Sequence, residues 1–384
     1  MNCINKLMSV TLPCICVANA TTITFDENYQ TNNNYFKFDV TESKDEYSIN
    51  WVKLENRKYD DEHANLIIPG KTNGKNVSLG RNVFAWFNAD GLSVHLLIDD
   101  GVKMPRDSAG LFYFAKSLKQ IGFGKVDMQK VKYMGGMFYG CSGLSTLDLS
   151  NLKTDNVVDM QGMFEQCSNL RAVNLTNWDT RKVENMSEMY RDCEQLDSLN
   201  LSHFDTRNVR NMRQMFQGCK NMTTLNIDNF NTSKLNSLYR MFMGCEKLLK
   251  INLSSFDTSN IDDMSSTFFD CKSLDELDLS RFNTENVSSM SFMFAGCENL
   301  KKIDLSSFDT KNVEFMGGMF ISCESIKSLD LRHFNPRRLV CSSWMFQNCY
   351  NLKNENLGNL NLENVLYKQD MFKNCDAMPE KPVC

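Results

Sequence analysis

The feature that most constrains this chain is a period. Cys141, Cys167, Cys193, Cys219, Cys245, Cys271, Cys297, Cys323, Cys349 and Cys375 are spaced by 26 residues, ten copies without insertion or deletion. Each cysteine closes a motif of the type Met160-Gln161-Gly162-Met163-Phe164-Glu165-Gln166-Cys167. A fixed period of this size means stacked supersecondary units, each too small to bury its own apolar face. One unit offers roughly nine apolar side chains at about 1.5–3 kcal/mol each. Ordering its backbone costs about 1–2 kcal/mol per residue, so a single copy cannot fold alone.

Counting Met160 as position 0, the apolar residues Met160, Met163, Phe164 and Cys167 fall at positions 0, 3, 4 and 7. That spacing predicts a two-turn helix with one buried face. Asp159 precedes it, and Asn185, Asn211, Ser237, Asp263 and Ser289 hold the equivalent place, all side chains suited to N-caps. Asn185 with Glu188, and Asn211 with Gln214, have capping-box spacing. After the cysteine, Val173-Asn174-Leu175 alternates as a short strand with one buried face. Trp178, or Phe at this place in most copies, reads as core, and Asp179-Thr180-Arg181 turns the chain into the next copy.

The expected fold class is therefore α/β, a leucine-rich-repeat-like solenoid with a parallel sheet of short strands on one face and short helices on the other. Residues 108–378 hold about eleven copies, the first (108–133) degenerate with alanine in place of cysteine. The last copies also degrade, with Ser342 and Lys368 for the first methionine, Pro336 for the usual threonine and Glu355 at an inward strand position, as in a C-terminal cap. Residues 379–384 form a tail.

Residues 21–107 lack the repeat but alternate apolar and polar residues, as in Tyr47-Ser48-Ile49-Asn50-Trp51-Val52, between turn signals such as Asn73-Gly74 and Asp100-Gly101. They are expected to form a small β-rich N-terminal cap. Residues 1–20 carry Lys6, an apolar stretch and a terminal Ala18-Asn19-Ala20. Two readings stand, a signal peptide or an ordinary strand. No later run has the roughly 20 apolar residues that a membrane span needs.

The unit Leu277-Asp278-Leu279-Ser280-Arg281-Phe282-Asn283-Thr284-Glu285-Asn286-Val287, followed by Met290, Met293, Phe294 and Cys297, resembles the 26-residue repeat of BspA-like bacterial surface proteins. The resemblance spans about residues 108–378 and implies a secreted or surface-displayed leucine-rich-repeat protein. Some members of that group are adhesins. A cytoplasmic interaction scaffold is the alternative, since so many cysteines suit a reducing compartment.

The cysteine ladder reads as buried free thiols. Helices would set successive cysteines about 8–10 Å apart, beyond the roughly 7 Å that a disulfide tolerates. Cys375 with Cys384 is the one pair to consider for a disulfide, and no clustered ligands suggest a metal. A net charge of −5 without basic blocks gives no reason to expect nucleic acid. No nucleophile–base pair, phosphate loop or cofactor motif stands out, so an enzyme is not expected. The candidate binding residues are the outward column of the strands: Asp148, Asn174, Asn200, Asn226, Asn252, Asp278, Asp304 and Asp330, with Asn356 beyond. Such a column either binds a protein or glycan partner or merely solubilises the sheet. Lys250, Glu276, Lys302, Asp228 and Arg332 beside it vary from copy to copy.

Overall fold

The computed structural model describes residues 36–54, 63–87, 92–353 and 365–378. Residues 1–20, the tail 379–384, Glu355, Asn356 and Cys384 lie outside them, and with them the signal-peptide reading and the Cys375–Cys384 pair. The chain divides into two compact units, Met1–Lys182 and Val183–Cys384.

In the first unit, β1 (Phe36–Glu42) and β2 (Glu46–Leu54) form an antiparallel hairpin. The parallel pairing of β2 with β5 (Lys75–Leu79), beside β4 (Lys71–Thr72), completes a four-stranded sheet. β3 (His63–Ile68), β6 (Ser93–Ile98) and β7 (Leu118–Phe123) pair in parallel, so the chain is already coiling before the strict repeat begins. The coils that follow contribute β8 (Thr146–Asp148) and β9 (Ala172–Asn174), a parallel pair. In the second unit the parallel pairs are β10 (Ser198–Asn200) with β11 (Thr224–Asn226), and β12 (Glu276–Asp278) with β13 (Lys302–Asp304). Each of these strands has three residues, the middle one facing inward.

The repeat is thus a leucine-rich-repeat-like β-solenoid, and the expected helices are absent among the described residues. Positions 0 to 7 form a run of turns instead. In the copy from Met186, the N–H groups of Met189, Arg191 and Cys193 donate within the coil to the carbonyls of Met186, Glu188 and Tyr190, three residues back. The alternate N–H groups, of Met186, Glu188, Tyr190 and Asp192, donate to Asn211, Arg213, Met215 and Gln217 of the next coil. A helix would direct all of them inward to the residue four back. The switch is made by left-handed residues at positions 2 and 6, here Glu188 (φ 59°) and Asp192 (φ 57°). The two capping boxes fall with the helices, because Glu188 and Gln214 (φ 58°) are these left-handed residues. The supposed N-caps close Asx turns, as when Asn185 Oδ1 accepts from the N–H of Ser187 at 3.1 Å.

Positions 0, 3, 4 and 7 still point inward: Met186, Met189, Tyr190 and Cys193 are fully buried. The aromatic rings at position 4 stack coil on coil, Phe112 on Phe138 at 5.1 Å in the first unit and Phe242 on Phe268 at 5.4 Å in the second. The ladder also begins one coil earlier than the repeat. Asn82 (φ 58°) and Trp86 (φ 60°) are left-handed, and Phe84 stacks on Phe112 at 5.2 Å.

A second column stands at the turn after the strand. Thr154, Thr206, Thr232, Thr258 and Thr284 are buried, and each hydroxyl donates to a carbonyl of the next coil, Thr258 to Asn283 at 2.9 Å. The N–H of Asn283 donates back to Thr258 Oγ1 at 2.8 Å.

Candidate functional site

The strand side is the surface on which the coils display side chains in register. Leu147, Leu199, Leu225 and Leu277 at the strand centres are buried, which forces their neighbours on both sides outward. Asp148, Asn174, Asn200, Asn252, Asp278, Asp304 and Asp330 are exposed, and Asn226 is half-buried.

Each of these side chains also has a local task. Asp148 Oδ1 accepts the N–H of Ser150 at 3.0 Å, and the same bond to the residue two further on is made by Asn174, Asn200, Asn226, Asn252, Asp278, Asp304 and Asp330. One oxygen of every column residue therefore ends the strand in an Asx turn, and only the rest of the group faces solvent. The hydroxyl and N–H of Ser280 hold the Asp278 carboxyl below its ordinary range, and those of Ser306 do the same for Asp304. Arg332 hydrogen-bonds Asp330 and pulls it down to about 2. In the second unit the column changes from neutral amides at Asn200, Asn226 and Asn252 to carboxylates at Asp278, Asp304 and Asp330. Beside the latter, Lys302 pairs with Glu276 across β12 and β13 at 3.4 Å.

Where the column is neutral the face has relief. A groove of about 540 Å³ is lined by Ser198, Asn200, Thr223, Thr224, Asn226, Leu249 and Lys250. Leu249 is 55% exposed although the equivalent residues in other coils are polar, among them Arg171, Asp197, Lys301 and Lys327. Among the described residues no strand pairing joins Lys250–Asn252 to the coils on either side. Leu249 was visible in the sequence only as an apolar residue out of place. A second groove of about 500 Å³ is lined by His203, Asp205, Arg207, Asn229 and Asn231.

The cysteine ladder lies inside. Cys141, Cys167, Cys193, Cys219, Cys245, Cys271, Cys297, Cys323, Cys349 and Cys375 are buried and free, and Cys341 is half-buried and free. The thiol of Cys271 donates to the carbonyl of Phe242 in the preceding coil at 3.1 Å, and Cys323 makes the same bond to Phe294 at 3.1 Å. Burial pushes the Cys167 and Cys245 thiols up to about 12. The helix spacing does not explain the free thiols, because the coils pair as β-structure about 4.8 Å apart. Parallel side chains in register at that distance hold Cβ atoms beyond the roughly 3.5–4.5 Å of a disulfide. Trp178 is buried, with its indole N–H on the carbonyl of Leu149 at 3.0 Å. Among the described residues no group of three or more His, Cys, Asp or Glu is placed to hold a metal ion, and no helix is long and apolar enough to cross a membrane.

The sequence matches the family model described as "Mycoplasma protein of unknown function, DUF285" over residues 106–224, 196–302 and 262–382. Among solved structures it is similar to a leucine-rich cell surface protein from Faecalibacterium prausnitzii, with 16% identity, a TM-score of 0.42, and coverage of 88% of this chain and 94% of that one. A leucine-rich repeat protein from Bacteroides ovatus matches with 17% identity, a TM-score of 0.41, and coverage of 89% and 100%. The pneumococcal vaccine antigen PcpA matches with 15% identity, a TM-score of 0.46, and coverage of 88% of each chain. No curated protein gives a significant match.

Proposed function

This chain belongs to the DUF285 family, and from that premise we propose a non-enzymatic repeat protein, secreted or displayed at the cell surface, that binds a protein or glycan partner through its strand face. The observation that carries the reading is the groove around Leu249, where an exposed apolar side chain sits among Thr223, Thr224, Asn226 and Lys250. An apolar anchor ringed by hydrogen-bonding groups is the chemistry of a recognition surface. The scaffold beneath is held by backbone ladders, so the outward residues are free to vary. The likeness of the repeat to BspA-like surface proteins and the signal-like first twenty residues support display outside the cell, and adhesion is the activity that fits such a surface.

Two experiments test this. Protease treatment of intact cells should degrade the protein, and protection until lysis would rule out surface display. Capture of partners from host extracts should be lost in Leu249→Asp and Lys250→Glu at unchanged melting temperature. The alternative of a cytoplasmic scaffold is favoured by the free cysteines, and protection from the protease would support it.

A further inference from the structure

The turn side of the first unit carries a feature that the strand-face reading does not use. Position 6 of the coils is left-handed throughout, and it is Gly at Gly140, Gly218, Gly244 and Gly296 and Gln, Asp, Ser or Asn at Gln166, Asp192, Asp270, Ser322, Asn348 and Asn374. Of these, glycine, asparagine and aspartate enter the left-handed region at least cost. In the first two coils the position holds Trp86 (φ 60°) and Phe114 (φ 54°), bulky rings in a conformation that disfavours them. Phe292 (φ 55°) and Trp344 (φ 60°) carry the same strain at position 2 of later coils, so what marks Trp86 is its exposure at the end of a ring stack.

The rings are fixed. Trp86 stacks on Phe114 at 4.8 Å and 15°, and Tyr113 stands edge-on to Trp86 at 5.5 Å and stacks on Tyr139 at 4.8 Å. Phe114 lies across Gly140, where a Cβ would come within 2.5 Å of its ring. With one face on Phe114, Trp86 is still 67% exposed, so the opposite face of the indole meets solvent. Lys116 Nζ lies 5.4 Å from the centre of the Phe114 ring.

We propose that Trp86 is the platform of a glycan-binding site, on which a pyranose ring stacks its C–H face while the Tyr113 hydroxyl and the Lys116 ammonium hydrogen-bond to sugar hydroxyls. A sugar matches the cluster because it combines an apolar face with a polar rim, and the preset rings lose little freedom on binding. A nucleic-acid strand would also stack, but its phosphates need a basic groove. Here Arg81 is paired with Asp107 at 3.2 Å, and the protein carries a net charge of −5.

The whole 384-residue chain is applied to an array of neutral and acidic oligosaccharides, and a bound oligosaccharide is then titrated by isothermal calorimetry. Trp86→Gly places at this position the residue that four other coils use, so we expect an unchanged melting temperature and at least a tenfold loss of affinity. Trp86→Phe keeps a ring and should bind within a few-fold of the parent. Three results would overturn the proposal: no oligosaccharide bound by the parent, binding indifferent to Trp86→Gly, or loss of binding in Trp86→Phe. Capture of a protein by these rings with no oligosaccharide bound would do the same. Leu249→Asp should leave the glycan titration untouched, which separates this site from the strand face.

Discussion

The thiol of Cys167 donates to the carbonyl oxygen of Phe138 in the preceding coil at 3.0 Å, and the same oxygen accepts the N–H of Cys141 at 3.1 Å. One carbonyl is thereby shared between a turn and its neighbouring coil. The regular cysteine is a cross-link made of a hydrogen bond rather than of sulfur chemistry.

Removing one such bond should cost stability without changing the fold. Cys245→Ala loses the donor to Phe216, made at 3.3 Å, and leaves a small cavity. We expect a loss of about 1–2 kcal/mol. Urea denaturation of the variant against the parent measures it.

The thiols should also make the fold sensitive to alkali. Burial raises them well above the ordinary value of 9.0, to about 12 for Cys167 and Cys245. Between about pH 9 and 12 the unfolded chain has lost these protons and the folded chain keeps them, so the unfolded state binds fewer protons and stability falls as pH rises. Each such thiol contributes about 1.4 kcal/mol per pH unit in that window. The melting temperature should be insensitive to the thiols below pH 9 and fall steeply above it. At pH 8 a chromophoric thiol reagent should find Cys341 and leave the ladder unmodified until denaturant is added.

Glycine should be welcome in the middle of the motif. Gln166 has φ 59°, so Gln166→Gly relieves a left-handed side chain. In a helix the same change would cost about 1 kcal/mol. We expect no loss of stability by thermal melting. Gly140→Ala should be harmful, by about 1–2 kcal/mol from φ 68° alone and further from the ring of Phe114 above it.

Thr258→Val tests the second column. It keeps the shape but strips both hydrogen bonds to Asn283, leaving the Asn283 N–H and carbonyl without that partner. A loss of about 1–3 kcal/mol is expected, and Thr258→Ser should recover most of it in the same denaturation assay.

The sequence made the period, the buried set and the short strands legible, because burial depends on which positions are apolar. It misled at Met160–Cys167, where apolar residues at 0, 3, 4 and 7 suit a two-turn helix and a run of turns equally. The signal that separates them is glycine inside the motif, at Gly162, Gly218, Gly244, Gly296 and Gly318, all with positive φ. A helix interior disfavours glycine, and a left-handed turn position selects it. The outward column was legible as a column, but its Asx turns were not, since they depend on how the chain leaves each strand. Trp86 was hidden by spacing: it stands 28 residues before Phe114 rather than 26.

The central claim is that 26 residues make one coil, locked to its neighbours by the turn ladder and presenting one strand residue after another on the same face. Deletion is the direct test, with the cooperativity of thermal unfolding as the readout. Removing residues 238–263, one whole period within the second unit, should give a chain that still melts cooperatively. Removing residues 238–250, half a period, should abolish the transition of that unit. Equal tolerance of the two deletions would contradict the stacked-coil account.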